Sequence, residues 1–173
     1  TGLQLGFKYI DVANIQNLDL QVEMNRVRPF TYSHFDSVSN YTHYNQPLAH
    51  PLGANFNEVI AIVRYQPTGK LNLMARLIYW KQGLDSANGR NFGSDIFRLN
   101  GDRRRGDFGY TLGAGVKSTG LNASFIASYE LRENIFIDAN VLLRQFKRGT
   151  TTQNTTLFGL GVRMNLWTRE YDY

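Results

Sequence analysis

Residues 121–132 read Leu-Asn-Ala-Ser-Phe-Ile-Ala-Ser-Tyr-Glu-Leu-Arg. Leu121, Ala123, Phe125, Ala127, Tyr129 and Leu131 alternate with Asn122, Ser124, Ile126, Ser128, Glu130 and Arg132. A strand turns successive side chains to opposite faces, so this alternation predicts a long strand with one apolar and one polar side. Beyond Glu133-Asn134 the pattern resumes. Ile135, Ile137, Ala139, Val141 and Leu143 oppose Phe136, Asp138, Asn140, Leu142 and Arg144. Two such runs joined by two residues predict an antiparallel hairpin.

The same period extends both ways. Downstream, Phe158, Leu160, Val162, Met164 and Leu166 oppose Gly159, Gly161, Arg163 and Asn165. Upstream, Leu71, Leu73, Ala75, Leu77 and Tyr79 oppose Asn72, Met74, Arg76 and Ile78. Residues 57–66 alternate less cleanly, because Ile60 and Ile62 oppose Val59, Ala61 and Val63. Leu18, Leu20, Val22 and Met24, then Leu3, Leu5, Phe7 and Tyr9, complete seven strands. Residues 108–117 read as structured loop or strand extension; an eighth strand there would upset the order of the connections.

Several of these runs reach about 10 residues, whereas strands of soluble proteins are typically about 5–6. The length fits a tilted strand crossing a bilayer. Connections at 13–17, 67–70 and 133–134 are short, that at 149–154 is intermediate, and those at 33–56 and 84–119 are long. Outer-membrane barrels alternate short periplasmic turns with longer extracellular loops. The expectation is therefore an all-β, antiparallel transmembrane β-barrel in the bacterial outer membrane. This chain would be its C-terminal portion, with 33–56 and 84–119 as extracellular loops. Seven is an odd count where even counts are usual, so further strands are expected before Thr1. A large soluble barrel or sandwich is the alternative.

Composition agrees. Mean hydropathy is -0.36 and no run of about 18 apolar residues exists, so no transmembrane helix is expected. Barrel strands are apolar on one face only and keep hydropathy low. Ten Tyr, eleven Phe and only four Pro favour a pleated surface. The absence of cysteine excludes disulfides, thiol catalysis and Cys-based metal sites. The net charge of +5 is spread along the chain. Its densest run, Arg103-Arg104-Arg105, reads as a solvated loop, and nucleic acid is not an expected partner.

The alternation assigns faces. Leu121, Phe125, Tyr129, Ile137, Val141, Leu160, Val162 and Met164 should meet lipid, and Glu130, Arg132, Asp138, Arg144 and Arg163 the interior. Tyr65, Tyr129 and Trp167 lie near one set of strand ends, Tyr79 and Trp80 near the other, as aromatic girdles require.

All three histidines, His34, His43 and His50, fall in the first long loop, among Tyr32, Tyr41, Tyr44 and Asn45. Their spacing matches no zinc signature, so no metal is expected. The plainer reading is an ordered loop built by aromatic packing and hydrogen bonds. The sharper one is glycan or partner contact through Tyr32, His34, Tyr41, His43, Tyr44, Asn45 and His50, since aromatics beside amides suit a sugar's apolar face and hydroxyls. Glu23, Glu130 and Asp138 could do acid–base work, but mixed charges also suit a polar barrel interior. No nucleophile elbow, phosphate loop or metalloprotease motif is present. No catalytic residue and no cofactor are expected.

Residues 26–34 (Arg-Val-Arg-Pro-Phe-Thr-Tyr-Ser-His) and 40–56 (Asn-Tyr-Thr-His-Tyr-Asn-Gln-Pro-Leu-Ala-His-Pro-Leu-Gly-Ala-Asn-Phe) are distinctive. Together they resemble the C-terminal part of Wzi-like capsule-assembly proteins of Bacteroidota, with the gliding-motility-associated RemB-like group the nearest in style. The resemblance covers about residues 26–58. It implies a large monomeric outer-membrane barrel with elaborated outer loops, associated with surface polysaccharide and without enzymatic activity. The partners it implies are outer-membrane lipid, surface polysaccharide and other outer-membrane proteins. A structural subunit of a secretion, uptake or motility complex, or a channel, are the alternatives.

Overall fold

The computed structural model describes residues 1–36, 38–86, 89–104, 106 and 108–165. Seven long strands form one antiparallel sheet: β1 (Gly2–Tyr9), β2 (Leu18–Val27), β5 (Phe56–Thr68), β6 (Leu71–Leu84), β7 (Val116–Arg132), β8 (Ile135–Arg148) and β9 (Thr151–Met164). Each pairs with its neighbour in chain order. The sheet does not close on itself within this chain; β1 and β9 are its two edges. A two-residue ladder, β3 (Thr42–His43) with β4 (Gln46–Pro47), lies in the first long loop.

The register puts the apolar residues on one face. Phe7, Val22, Ala61, Leu77, Ala123 and Leu143 are cross-strand partners in a single row. Tyr9, Leu20, Val63, Ala75, Phe125, Val141 and Phe158 form the next. Tyr129, Ile137 and Val162 continue the face toward the short turns. No layer of described residues covers it: Phe158 is 77% and Leu160 83% exposed. On β6 the apolar file runs from Leu71 to Tyr79, about 26 Å of strand, or roughly 20 Å of height at a tilt of about 40°. At the long-loop end the row Arg26, Asn57, Lys81, Thr119, Lys147 and Thr152 ends the apolar band.

The eight residues expected to share the apolar face do so, as do Glu130, Asp138, Arg144 and Arg163 on the polar one. Arg132 does not join them. A bulge between Glu130 and Arg132 moves Arg132 opposite Ile135, out of the polar file. Tyr65 and Tyr129 sit toward the short-turn end of the apolar face, and Tyr79 in its last apolar row at the other end. Trp80 lies on the polar face, buried, between Glu58 and Gly120 in register. Trp167 and Leu166 lie outside the described residues.

The connection after β8 is tighter than expected: Gly149 and Thr150 alone make the turn, with Gly149 at a positive φ of 57°. The last strand accordingly begins at Thr151 rather than near Phe158. Val116 and Lys117 extend β7, while 108–115 remain loop.

Gly120 makes room for Trp80. A Cβ on Gly120 would stand 2.0 Å from the indole ring. In a Trp167→Phe background, which leaves Trp80 as the only indole, Gly120→Ala should shift the fluorescence of Trp80. It should also cost about 1–3 kcal/mol from overpacking, read as a lower midpoint of heat-modifiable gel mobility.

Candidate functional site

The two long connections, 28–55 and 85–115, fold together over the polar face at one end of the sheet. Most strand residues they bury point to that face: Asn25, Val27, Phe56, Glu58, Trp80, Gln82, Ser118 and Gly120, while Gly83, on the other, lies against Gly113 and Ala114. A small apolar cluster of Val27, Ala54, Phe56 and Ile96, flanked by Tyr32 and Leu52, draws on both loops. Backbone bonds join the loops as well. Phe30 N–H donates to Gly93 O at 3.0 Å, Ala54 N–H to Ser94 O at 3.2 Å, and Asn100 N–H to His34 O at 2.9 Å.

Asn55 is the hub. Its side chain is fully buried and its φ is 61°, a left-handed conformation that Asn tolerates better than most residues. Its amide donates to Gly83 O at 2.7 Å, Ala114 O at 2.8 Å and Phe92 O at 3.4 Å. Its Oδ1 accepts from Gly113 N–H at 2.7 Å, and its own carbonyl from Gly83 N–H at 3.0 Å. One residue therefore ties the end of the first loop to the end of β6 and to the second loop. Gln82 adds bonds from its amide to Leu52 O (2.6 Å) and Ala54 O (3.0 Å).

The candidate contact residues divide into three places. His50 is internal: Nε2 lies 2.9 Å from Glu58 Oε2, which also accepts from Asn25 Nδ2 at 2.9 Å. Leu52 N–H donates to His50 Nδ1 at 3.2 Å, so the proton sits on Nε2 and points at the carboxylate. The ring also packs on Phe56, 4.4 Å between centroids. His43, Tyr44 and Asn45 form the tip of the β3–β4 hairpin. Tyr44 and Asn45 both have positive φ (46° and 58°), as a two-residue mirror-image turn requires. Tyr44 is 89% exposed, with His43 edge-on to its ring.

Tyr32, His34 and Tyr41 are brought together. With Thr31, Ser33, Ser39 and Ala49 they line a shallow depression of about 370 Å³. The two tyrosine rings are near parallel, 25° and 5.8 Å apart. Asn40 holds the depression in shape by accepting from His34 N–H at 2.5 Å. Ser33 Oγ, also lining it, is buried and has no hydrogen-bond partner among the described residues. Such a group stays costly until something supplies a bond.

In the second loop Arg98 binds Asp102 Oδ2 (2.6 Å from Nη2), Asp85 Oδ2 (3.0 Å from Nη1) and Gly89 O (2.9 Å). Asp102 above all, and then Asp85, raise the Arg98 guanidinium above its usual value, outweighing burial that acts the other way. The arginine run is not simply solvated. Arg104 lies over the rings of Phe30 (4.4 Å) and Tyr110 (5.5 Å) and binds Asn100 Oδ1. Arg105 lies outside the described residues. Among the described residues no three His, Asp or Glu side chains are grouped to hold a metal ion.

No protein family, curated protein or solved structure matches this chain.

Sequence reading missed Asn55, Gln82 and Arg98, whose roles arise from partners far away in the chain. The one available signal was Asn55 itself, an Asn between a turn-rich stretch and a strand. Asn55→Ala removes four side-chain hydrogen bonds and keeps the strained φ. It should cost at least about 3 kcal/mol and expose both long loops to limited proteolysis together. Cleavage confined to the first loop would show that Asn55 is not their common anchor.

Proposed function

We propose that this chain is part of a non-enzymatic outer-membrane β-barrel whose long loops lie outside the cell and retain or organise surface polysaccharide. The observation that carries the reading is the apolar face, continuous over seven strands and uncovered by protein. A water-facing sheet of that size would aggregate, whereas a bilayer supplies the apolar surroundings it needs. Tyrosines near both ends of the band and the location of both long loops at one end support the same orientation. The edges β1 and β9 would pair with further strands, since lipid leaves no edge tolerable.

The polysaccharide role rests on the depression lined by Tyr32, Ser33, His34 and Tyr41, and on the resemblance of residues 26–58 to Wzi-like capsule-assembly proteins. Parallel aromatic rings suit a sugar's apolar face. A second reading, a structural subunit of a larger complex, is favoured by Val38, Tyr44 and Phe108, apolar and almost fully exposed on the loops. The loops' packing over the polar face speaks against a channel.

Two experiments test the proposal. Ala127 is central on the apolar face, and Asn72 faces the other way. At a bilayer midplane Ala127→Arg should cost about 2–4 kcal/mol in refolding into phosphatidylcholine vesicles, while Asn72→Arg costs much less. Equal tolerance of both arginines would remove the membrane reading. For the loops, Tyr41→Ala should lower retention of capsular polysaccharide about fivefold per folded barrel, and Tyr44→Ala should leave it unchanged. A reversed result would move the contact to the hairpin tip; no effect from either would favour the subunit reading.

A further inference from the structure

The charges of the seven strands are sorted by face. The strand acids, Asp19, Glu23, Glu58, Glu130 and Asp138, all occupy polar-face positions. No acidic residue occupies an apolar-face position on any strand. The apolar face nevertheless carries cations, and four of them stand together at one end. Arg26 and Lys81 flank Asn57 in the row that closes the band, Lys147 pairs with Thr119 in the same row, and Lys117 lies one position further out opposite Gly83. All four are exposed. None forms an ion pair with another described residue. Lys81 Nζ leans over the ring of Tyr79, in the last apolar row, 5.8 Å from its centroid.

A cation placed for solubility alone would need neither this row nor this end. At the short-turn end the only apolar-face charge among the described strand residues is Arg132, delivered there by the bulge. We infer that Arg26, Lys81, Lys117 and Lys147 form a belt that binds the phosphate groups of the lipid leaflet on the long-loop side. The geometry fits the chemistry. Acyl chains would lie along Val59, Leu77, Tyr79 and Leu121, and phosphates would meet the ammonium and guanidinium groups directly above. Lysines can reach outward from a strand while their stems cover its apolar surface. The belt also gives the sheet a direction, since the anionic leaflet is met from one side only. This inference rests on the membrane reading above.

The test uses the full-length protein refolded into phosphatidylcholine vesicles, with and without lipid A, a phosphorylated lipid. The triple variant Lys81→Gln, Lys117→Gln, Lys147→Gln removes charge and keeps the stems. Folding into pure phosphatidylcholine, read by heat-modifiable gel mobility, should match the parent. Binding of lipid A, read as lipid retained per folded protein in native mass spectrometry, should fall about fivefold for each lysine replaced. The parent's lipid A retention should weaken with added salt, and that of the variant, which keeps only Arg26, should weaken much less. Equal lipid A retention by parent and variant overturns the belt while leaving the barrel standing. Failure of the parent to fold into either vesicle overturns both.

Discussion

The sheet has one apolar face and no protein to set against it. Each large side chain left in water forgoes about 1.5–3 kcal/mol of burial, and this face presents such residues on every strand. The strands cannot escape by sliding, because a one-residue slip would bring Arg64, Arg76, Asp138 and Arg163 to that side and bury nothing better. What fixes the register is therefore the medium outside as much as the ladder within. Given a covering medium, long strands, two-residue turns and tyrosines near both ends of the band follow together. Without one, each of them is a liability.

The opposite face obeys a different rule. Its charges are partly matched within the sheet: Asp138 accepts from Arg163 at 2.9 Å and from Ser128, and Lys8 approaches Asp19 at 3.8 Å. Only at the long-loop end is it roofed by protein, and there the roof is built from hydrogen bonds more than from apolar bulk. Asn25, Asn55, Glu58 and Gln82 are buried beside a cluster of only four buried apolar residues. Such a cap is rigid while every partner is present and fragile once one is lost. That is why Asn55, in contact with both loops, matters more than any residue at their tips.

What could be read from the chain follows from the range of each interaction. Alternation is local, so six strands and the faces of most of their residues were legible, Phe125 and Val141 among them. The start of β9 was not, because Thr151–Thr156 carries no apolar file to alternate. Threonine favours strands, but here the edge of β8 recruits the segment, Lys147 opposite Thr152 and Gln145 opposite Asn154. The bulge at Arg132 was equally silent, being a property of the pair and not of either strand. Trp80 shows the same limit: its place at a strand end was legible, but its burial depends on Gly120, forty residues away. In the loops, the tyrosines and histidines could be named but not sorted. Whether a histidine faces a carboxylate, like His50, or solvent, like His43, depends on contacts the local sequence does not encode.

The one strand with imperfect alternation carries its own information. Ile60 and Ile62 break the pattern of β5 because they lie on the polar face, where Ile60 is paired with Ile78. That pair is one row below Glu58 and Trp80, the row on which the loops rest. Met74 and Ile126, paired two rows further down, extend the apolar stripe. A face lined only by water would have no use for half-buried isoleucines in register beneath a cap. They belong to the same structure as Phe56 and Val27, continuing the apolar floor under the loops into the sheet. The departure from strict period two thus marks where the polar side of the sheet stops meeting solvent and starts supporting protein.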